Sequence, residues 1–420
     1  MTHLMKVLHV CFSDNVGGAF IGAHRLHSCM VATGIDSELL VIKKRTSDPR
    51  VIAIPIGLKI QNLVYRIMSR MILLTQKTPD NEFRSLNLFP TTIIRIINSH
   101  DADVVQFHWI SHNTVGITDF RKINKPLVWK LPDMWAFCGC EHYTTHANRY
   151  MDGYNRRNKP SDHHGLDIDR YIWELKQKYW KDLNMTIICP SKWLAECAGK
   201  SLLLKNYPIY NIPNPIDMDI FKPVSDVDAA RSHFNLPAGK RLILFSSLAK
   251  ASYTRKGFHY LEKCIQEFSR SVDRSLYKII IMGLKIPENC LYGIDVINLG
   301  VIMDINDLAL AYAAMDVTVV PSDADNLPNV IKESMACGVP CVSFNTGGVP
   351  DMITHKVNGY LAPVGDYEEL SRGLKWIFSR DNAEICNAAR NSALQLHGHV
   401  KIVNQYVKIY KSLLPDGMKP

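Results

Sequence analysis

The stretch Pro321–Cys341, PSDADNLPNVIKESMACGVPC, decides the fold of this chain. It follows residues 317–320, an apolar run rich in β-branched side chains that predicts a buried parallel strand. Pro328 suits the first turn of a helix over residues 330–337, residues 338–340 end that helix, and a further strand follows. Because the loop leaves a strand and enters a helix, it lies where open α/β sheets bind ligands.

Two carboxylates frame this loop and its helix. Asp325 lies in the predicted loop, and Glu333 lies inside the predicted helix. The backbone amides of residues 326–329 meet at the helix N-terminus, where N–H groups and the helix dipole attract anions. The pattern therefore predicts an anion site at this edge of the sheet.

The run resembles the signature of retaining glycosyltransferases of the family 4 type, in which two glutamates are spaced E-x7-E beside a helix N-terminus. Asp325 stands at the first position and Glu333 at the second. The flanking PS, NLPNV and CG-P elements fit the same pattern, as does Phe344–Pro350, FNTGGVP. The resemblance covers nearly the whole chain. It implies the α/β GT-B fold, in which two doubly wound Rossmann-like domains face an interdomain cleft.

The alternation of strands and helices in both halves by itself predicts two doubly wound α/β domains. Several prolines between residues 210 and 223 mark the boundary between them. With the resemblance, we expect an acceptor-side domain over residues 1–212 and a nucleotide-sugar-binding domain over residues 213–395. A C-terminal helix over residues 396–420 is expected to return to the first domain.

The first domain opens with a glycine loop. Residues 6–12 predict a strand, Gly17 and Gly18 follow it, and residues 19–33 predict a helix. Glycine lets the backbone approach a phosphate or a sugar closely, so the loop is a candidate contact for the donor. A plain tight turn is the alternative. The resemblance places this loop at the interdomain cleft.

The resemblance also assigns roles in the second domain. Glu333 is expected to bind the donor ribose, and Asp325 is expected to hold hydroxyls of the transferred sugar. The residues from Gly300 and Val301 onward are where the family seats the base, largely through backbone contacts. The expected donor-binding set is Gly17, Gly18, Arg255, Lys256, Gly300, Val301, Asp325, Asn326, Leu327, Pro328, Asn329, Val330 and Glu333.

A nucleoside diphosphate leaves as the glycosidic bond breaks, so the site needs positive charge. The family supplies a basic pair, and Lys256, in its Lys-Gly step, matches the second member. Ser247 or Leu248 stands where the first is expected, so Arg255 or Lys250 is expected to substitute. A solvated basic loop is the alternative. The expected catalytic set is Lys256, Asp325, Glu333 and Asp133.

A second motif resembles a subgroup of these glycosyltransferases from bacterial polysaccharide pathways. Its members carry His-Asp-Met-Trp where this chain has residues 132–135, Pro-Asp-Met-Trp. The family histidine lies near the sugar, so Asp133, His108 or His142 is expected to supply the polar contact, or catalysis is weakened. The expected acceptor or cleft residues are His108, Trp135 and His142.

Cys138, Cys140 and His142 stand close together in the sequence and raise the question of a metal site. Their spacing is not that of a zinc motif, and the sequence shows no clear fourth ligand. We expect these side chains to pack in the cleft wall. We expect no metal, and no cofactor beyond the nucleotide sugar as co-substrate.

Bulk composition limits the partners and the compartment. The net charge of +9 suits nucleotide diphosphates, acidic lipids or nucleic acid, without choosing among them. The 11 cysteines lack framework spacing, which indicates reduced thiols in a cytoplasm. The opening MTHLMKVLHVCF lacks the features of a signal peptide, and no run approaches the ~18 apolar residues of a membrane span. We expect a cytoplasmic protein with no nucleic-acid partner.

Residues 57–77 predict an amphipathic helix. At ~100° per residue, Lys59, Arg66, Arg70 and Lys77 form a narrow basic stripe, and apolar residues gather on a neighbouring face. The pattern predicts attachment to an anionic membrane surface, here the inner face of the cytoplasmic membrane. A surface helix that packs its apolar side on its own domain is the alternative.

The expected function is retaining transfer of a hexosyl group from a nucleotide diphosphate sugar to a growing, lipid-linked cell-surface polysaccharide, such as lipopolysaccharide, O-antigen or exopolysaccharide. Retention follows from the resemblance alone. One alternative is a nucleotide-sugar epimerase or hydrolase of the same fold. The other is a relic that binds a nucleotide sugar or a glycan without transferring anything.

Overall fold

The structure is a computed structural model that describes residues 5–15, 17–79, 82–144, 148–248, 254–287, 289–380 and 382–414. Contacts divide the chain into two units: the first joins residues 1–215 to residues 400–420, and the second is residues 216–399. These boundaries lie a few residues beyond those expected from the sequence, 212 and 395. Lys250, one candidate for the missing basic residue, lies outside the described residues.

The first unit is built on a seven-stranded parallel sheet. Its strands are β1 (Lys6–Ser13), β2 (Asp36–Lys43), β3 (Val51–Ala53), β5 (Val104–Phe107), β6 (Leu127–Lys130), β8 (Met185–Cys189) and β9 (Ile209–Asn211), with a separate antiparallel pair of β4 (Gln76–Lys77) and β7 (His164–Gly165). Its helices are α1 (Gly18–Ala32), α2 (Ile56–Leu73), α3 (Ile93–Ser99), α4 (Arg149–Asp152), α5 (Ile168–Trp180) and α6 (Lys192–Lys200). The strand order is β3-β2-β1-β5-β6-β8-β9.

The second unit is built on another seven-stranded sheet, of order β12-β13-β11-β10-β14-β15-β16. Its strands are β10 (Arg241–Ser247), β11 (Tyr277–Gly283), β12 (Cys290–Leu291), β13 (Ile294–Gly300), β14 (Val317–Val320), β15 (Cys341–Phe344) and β16 (Gly359–Ala362), all parallel except β12. Its helices are α7 (Val227–His233), α8 (Phe258–Ser269), α9 (Ile305–Ala313), α10 (Asn329–Ala336), α11 (Tyr367–Phe378) and α12 (Asn382–His397).

The core of the second unit shows why its strands are apolar throughout. Successive side chains of a strand point to opposite faces of the sheet. Accordingly, Ile243 and Phe245 of β10 belong to one apolar cluster, whereas Leu242 and Leu244 belong to the other. Both faces are covered, as in other parallel sheets. The predicted strand–loop–helix–strand unit of residues 317–344 is confirmed, with α10 beginning one residue earlier than expected.

Two helix predictions need correction. The helix predicted over residues 57–77 ends at Leu73, and Lys77 lies in the short strand β4, where it pairs with His164. The basic stripe therefore loses its last member. The C-terminal helix expected over residues 396–420 begins later, as α13 (His399–Leu413), because Gly398 separates it from α12, which ends at His397.

The last helix belongs to the first unit. Ile402, Tyr406 and Tyr410 of α13 are buried in a cluster with Val7 of β1 and Val104 of β5. The Tyr410 hydroxyl donates a hydrogen bond to Oε1 of Gln106, which is also on β5. The C-terminal segment thus completes the apolar layer on one face of the first sheet. Among the described helices, none combines the length and apolarity that crossing a bilayer demands.

Candidate functional site

The order in which strands are added to the second sheet changes direction at β10, and this switch point positions the candidate site. From β10 the chain goes to β11 on one side, whereas β14 adjoins β10 on the other. The carboxyl ends of parallel strands share an edge, and a crevice opens where neighbouring connections diverge. The loops after β10 and β14 therefore meet, which brings residues 255–257 next to residues 321–328.

An ion pair joins these two loops. Lys256 Nζ lies 2.6 Å from Asp325 Oδ2, and the Arg255 guanidinium donates to the carbonyl oxygen of Ala324 at 2.7 Å. Burial raises the pKa of Asp325, but the charges of Lys256 and Arg255 outweigh it and bring the pKa below its usual value. Asp325 is therefore ionised at neutral pH. The structure assembles both expected basic residues and the first carboxylate in one place.

Close backbone contacts hold this geometry. Gly257, at φ +72°, lies so near the other loop that a Cβ there would sit 1.7 Å from the Pro321 carbonyl oxygen. Gly347, at φ +52°, lies equally near the Asp325 carbonyl oxygen, which also accepts from the Gly348 amide at 3.1 Å. The glycines of the FNTGGVP run thus support the Asp325 loop, a role that the sequence did not assign to them.

The other expected donor residues lie on the same edge of the sheet or behind it. Glu333 is buried in the second turn of α10, and Asn329 and Val330 form the first turn of that helix. Gly300 ends β13, two strands from β10 along the sheet, and Val301 after it is exposed. Asn326, Leu327 and Pro328 are buried in the loop between Asp325 and α10.

The first unit has a cavity at the carboxyl ends of β5 and β6. Its volume is about 10 Å³, room for about one water molecule. Its polar lining includes His108, Ser111 and Asp133. Its full lining is His108, Trp109, Ile110, Ser111, Trp129, Leu131, Pro132, Asp133, Trp135 and Ala136. The predicted residues His108, Asp133 and Trp135 therefore line one small cavity together with further aromatic rings.

His142 does not line this cavity, and it acts on Asp133 instead. Its Nδ1 lies 2.6 Å from Asp133 Oδ2, and its Nε2 lies 2.9 Å from Ser85 Oγ. Both ring nitrogens are thus engaged within the protein. The Trp135 amide donates to the other oxygen of Asp133 at 3.0 Å, so the carboxylate is held from two sides. Ser85, 57 residues before His142, was not predicted from the sequence.

His108 has one nitrogen left for a ligand. Its Nε2 lies 2.8 Å from His9 Nδ1, whereas its buried Nδ1 has no hydrogen-bond partner among the described residues. Burial holds the pKa of both imidazoles well below the usual value, and Lys130 adds to this effect. The pair is therefore neutral, and one shared proton leaves His108 Nδ1 either a donor or an acceptor. A sugar hydroxyl can meet either form.

His9 and Lys130 are further residues that the sequence did not single out. Each is a polar residue within an apolar strand, which is the only local signal of a special role. Lys130 is buried, and its Nζ donates to the Gly22 carbonyl oxygen at 3.1 Å. Burial lowers the pKa of Lys130 to about 7, with a small opposing effect from Cys11.

The cysteines and His142 are not gathered into one cluster. Cys140 donates from Sγ to Asp169 Oδ1 at 2.6 Å, while His142 bonds to Asp133 and Ser85. Glu141 and Asp169 lie beside Cys140 in a buried group of potential ligands. Arg84 faces Asp169 there, with Nε 3.6 Å from Oδ1, so the carboxylate already has a positive partner. The expectation of no metal remains a prediction.

The glycine loop of the first unit leads into α1. Gly17 precedes this helix at φ +128°, a backbone conformation that favours glycine, and its carbonyl oxygen accepts from the amides of Phe20 and Ile21. Gly18 is the first residue of the helix. Contact of either glycine with a donor remains a prediction.

The close approach of Gly257 to Pro321 makes a test of the loop geometry. We expect Gly257→Ala to lower the free energy of unfolding by more than about 2 kcal/mol, because its Cβ has no room. Gly239→Ala is the matched control: its φ is +68°, and no atom lies within 4 Å of the Cβ position. Gly239→Ala should lower the free energy of unfolding only by the cost of a left-handed backbone conformation, about 1–2 kcal/mol. Equal losses in denaturant unfolding would contradict the steric argument.

The lowered pKa of Lys130 predicts a pH dependence. The unfolded chain holds this proton up to about pH 10.5, whereas the folded protein releases it near pH 7. Between these values the unfolded state binds more protons, so stability rises with pH by up to about 1.4 kcal/mol per unit. We expect Lys130→Met to lack this contribution in unfolding measurements at pH 7, 8 and 9. Lys408→Met, at an exposed site, is the control, and parallel wild-type and Lys130→Met curves would refute the assignment.

Sequence comparison identifies a family for part of the second unit. Residues 239–380 match the family model described as "Glycosyl transferases group 1". The N-acetyl-alpha-D-glucosaminyl L-malate synthase of Bacillus anthracis is 29% identical over 164 residues, which are 37% of this chain and 43% of that protein. The chain thus aligns with less than half of this relative's length.

Two solved structures match over nearly the whole chain. A sucrose-phosphate synthase from Thermosynechococcus elongatus has a TM-score of 0.67 at 17% identity, with coverage of 97% of this chain and 99% of that one. HepE of Anabaena, solved with UDP-glucose, has a TM-score of 0.64 at 18% identity, with coverage of 97% and 100%. The predicted GT-B class, with two Rossmann-like domains, is confirmed. The chain has the GT-B fold, and its residues 239–380 are similar to the glycosyl transferases group 1 family.

Proposed function

We propose that this protein is a retaining glycosyltransferase that moves a hexosyl group from a nucleotide diphosphate sugar to a growing, lipid-linked glycan. The observation that carries the proposal is the Lys256–Asp325 ion pair, with Arg255 beside it, at the carboxyl edge of the second sheet. HepE, which shares the fold, was solved with UDP and with UDP-glucose, which supports a nucleotide-sugar donor here.

The chemistry of the proposed site follows from charge. Lys256 has three N–H donors, of which Asp325 uses one. The others, with Arg255 and the N-terminus of α10, would stabilise the negative charge that develops on the departing diphosphate. Asp325 would hold sugar hydroxyls, and Glu333 would bind the ribose, as the family signature implies. No protein-bound metal is needed for this charge balance.

The acceptor sugar would bind at the mouth of the cavity of the first unit. The cavity is lined by the rings of Trp109, Trp129 and Trp135 and by the polar side chains of His108 and Asp133, and Trp109 is the least buried of the three rings. We propose that His108 supplies the contact that the absent motif histidine at Pro132 would make. His142 would be a positioning residue, because it orients Asp133 without lining the cavity.

Helix α2 supports attachment to an anionic lipid surface. It buries a polar residue, Asn62, whose side chain donates to the carbonyl oxygens of His112 and Asn113, and it exposes its apolar ones. The exposed apolar residues are Ile56, Ile60, Leu63, Val64, Ile67, Met68 and Met71. An apolar face turned outward, with Lys59 and Arg70 on the same helix, suits the interface of a bilayer with acidic headgroups. This exposure favours the lipid surface over the alternative, in which α2 packs its apolar side on its own domain.

The activity test uses the two residues that the site needs most. We expect Lys256→Ala to lower release of nucleotide from a donor sugar by at least about 100-fold, since one lost donor at a developing charge costs that much. Glu333→Gln should instead weaken binding of the donor, because the Glu333 carboxylate would accept hydrogen bonds from the ribose hydroxyls. Thermal shifts with UDP, GDP and ADP sugars select the donor first. Lys263→Ala, an exposed lysine on α8, is the control. Unchanged turnover in Lys256→Ala would refute the site.

The same assay separates the alternatives. Donor consumed without any glycan acceptor would indicate a hydrolase or an epimerase. Binding of a nucleotide sugar with no turnover, in the presence of lipid-linked acceptors, would indicate a relic.

Attachment to lipid is tested on the apolar face of α2. We expect Ile60→Ser combined with Ile67→Ser to weaken binding to vesicles containing phosphatidylglycerol by more than about tenfold, because each side chain loses about 2 kcal/mol of burial. Val357→Ser, a comparably exposed apolar site in the second unit, should bind as the wild type does. Equal binding of all three proteins in vesicle sedimentation would contradict the membrane proposal.

A further inference from the structure

Three basic side chains converge at the carboxyl edge of the first sheet. Lys43 ends β2, while Arg66 and Arg70 lie on successive turns of α2. Lys43 Nζ is 5.5 Å and Arg66 Cζ is 5.4 Å from the centroid of the Phe12 ring, which is buried on β1. Arg66 is half-buried, so this member of the predicted membrane stripe is directed over the end of the sheet.

This basic cluster, Lys43 with Arg66 and Arg70, has no counter-charge in the described part of the chain. None of the three side chains forms an ion pair or a hydrogen bond with another described residue. The nearby carboxylate of Asp14 is already occupied by the amides of Arg45 and Thr46 and by the Thr46 hydroxyl. The cluster therefore retains its positive charge and its N–H donors for a ligand.

The charges of the cluster act on one another. Burial, and then the charge of Arg70, lowers the pKa of Arg66. Burial, followed by the charges of Arg66 and Arg45, lowers the pKa of Lys43. Like charges held together cost free energy, and a bound anion removes that cost. A guanidinium also presents paired N–H groups that match the oxygens of a phosphate.

Aromatic contacts connect the basic cluster to the cavity. The Phe12 ring, under Lys43 and Arg66, packs against Trp109 at 5.9 Å between centroids, and Trp109 lines the cavity beside His108. His112 also packs on Phe12, at 4.8 Å. A ligand whose sugar ring lies against Trp109 at the mouth of the cavity can therefore place an attached anionic group over Phe12.

We propose that Lys43, Arg66 and Arg70 bind a phosphate or diphosphate group carried by the acceptor, next to the cavity at whose mouth its sugar would lie. The identification of the ligand as the acceptor rests on the proposed function, whereas the anion site itself does not. The acceptor is favoured over the donor as the source because the outward apolar face of α2, which carries Arg66 and Arg70, suits a lipid chain attached to that phosphate.

The first experiment compares two probes that differ only in charge, farnesyl diphosphate and farnesol, by calorimetric titration. We expect the wild type to bind the diphosphate at least tenfold more tightly. Arg66→Gln and Lys43→Ala should each lose most of this difference, and Arg66→Lys should retain part of it. Lys59→Ala is the matched control, because Lys59 is seven residues from Arg66 on the same face of α2, about 10 Å along the helix axis.

Further arms identify the source of the phosphate. One possible result is that binding of UDP or pyrophosphate is lost in Lys256→Ala but unchanged in Arg66→Gln and Lys43→Ala. If Arg66→Gln and Lys43→Ala also bind farnesyl diphosphate normally, the proposed site is overturned. If Lys59→Ala and Arg66→Gln lose binding to phosphatidylglycerol vesicles equally, and neither probe distinguishes them, a general lipid surface replaces the proposal. Equal binding of farnesyl diphosphate and farnesol also overturns it.

These arms separate the inference from the proposed function. Nucleotide release is measured on the same preparations. A wild type that turns over no donor, yet binds farnesyl diphosphate through Arg66 and Lys43, would refute glycosyl transfer and leave the anion site standing. In the opposite case, the wild type transfers sugar to a neutral glycan, and Arg66→Gln is equally active and binds the diphosphate equally well. That result would refute the anion site and leave glycosyl transfer standing.

Discussion

The pairing of Lys256 with the buried Asp325 is the contact on which the candidate site of the second unit depends. It joins the loops after β10 and β14, the two strands between which the connections of the sheet diverge. A carboxylate buried without a partner would be costly, and the nearby cations keep Asp325 ionised. The tight approach at Gly257 and Gly347 is what allows two backbones to bring these charges together. The site is thus a consequence of sheet topology, close packing and one charge pair.

In the first unit, polar side chains are buried inside an apolar sheet. His9 and Lys130 lie on β1 and β6, where each side chain is buried. A neutral imidazole pair and a lysine with a lowered pKa avoid most of the cost of burying charge. His108 lines the cavity, its Nδ1 has no hydrogen-bond partner among the described residues, and Asp133 is held by His142. Absence of the motif histidine at Pro132 therefore does not leave the cavity without polar groups.

Helix α2 differs from an ordinary surface helix because its polar side faces the protein. Asn62 and Arg66 reach inward, while Ile60 and Ile67 are exposed. One helix can in this way contribute to two surfaces, an apolar one that faces outward and a basic one that meets β1 and β2. The sequence periodicity showed both stripes but not which of them turned inward, since that depends on what the rest of the unit offers.

The sequence by itself determined the elements that follow local rules. Apolar runs of four to eight residues became strands, and the prolines and glycines around residues 321–341 bounded the loop and its helix. The E-x7-E-like spacing of Asp325 and Glu333 and the Lys256-Gly257 step predicted one shared edge of the second sheet, and the structure places these residues there, because motif residues lie at strand ends. The charge stripe of α2 was also visible, although the helix was predicted too long.

Only the tertiary structure decided the partners that are distant in the sequence. Ser85 meets His142, His9 meets His108, and Lys256 meets Asp325 across separations of 57, 99 and 69 residues. Such pairs depend on strand order and on burial, which periodicity does not record. The same reason explains why Arg66 lies over Phe12 while Lys77 joins a strand: local sequence sets the type of each element, and packing sets the environment of each charge.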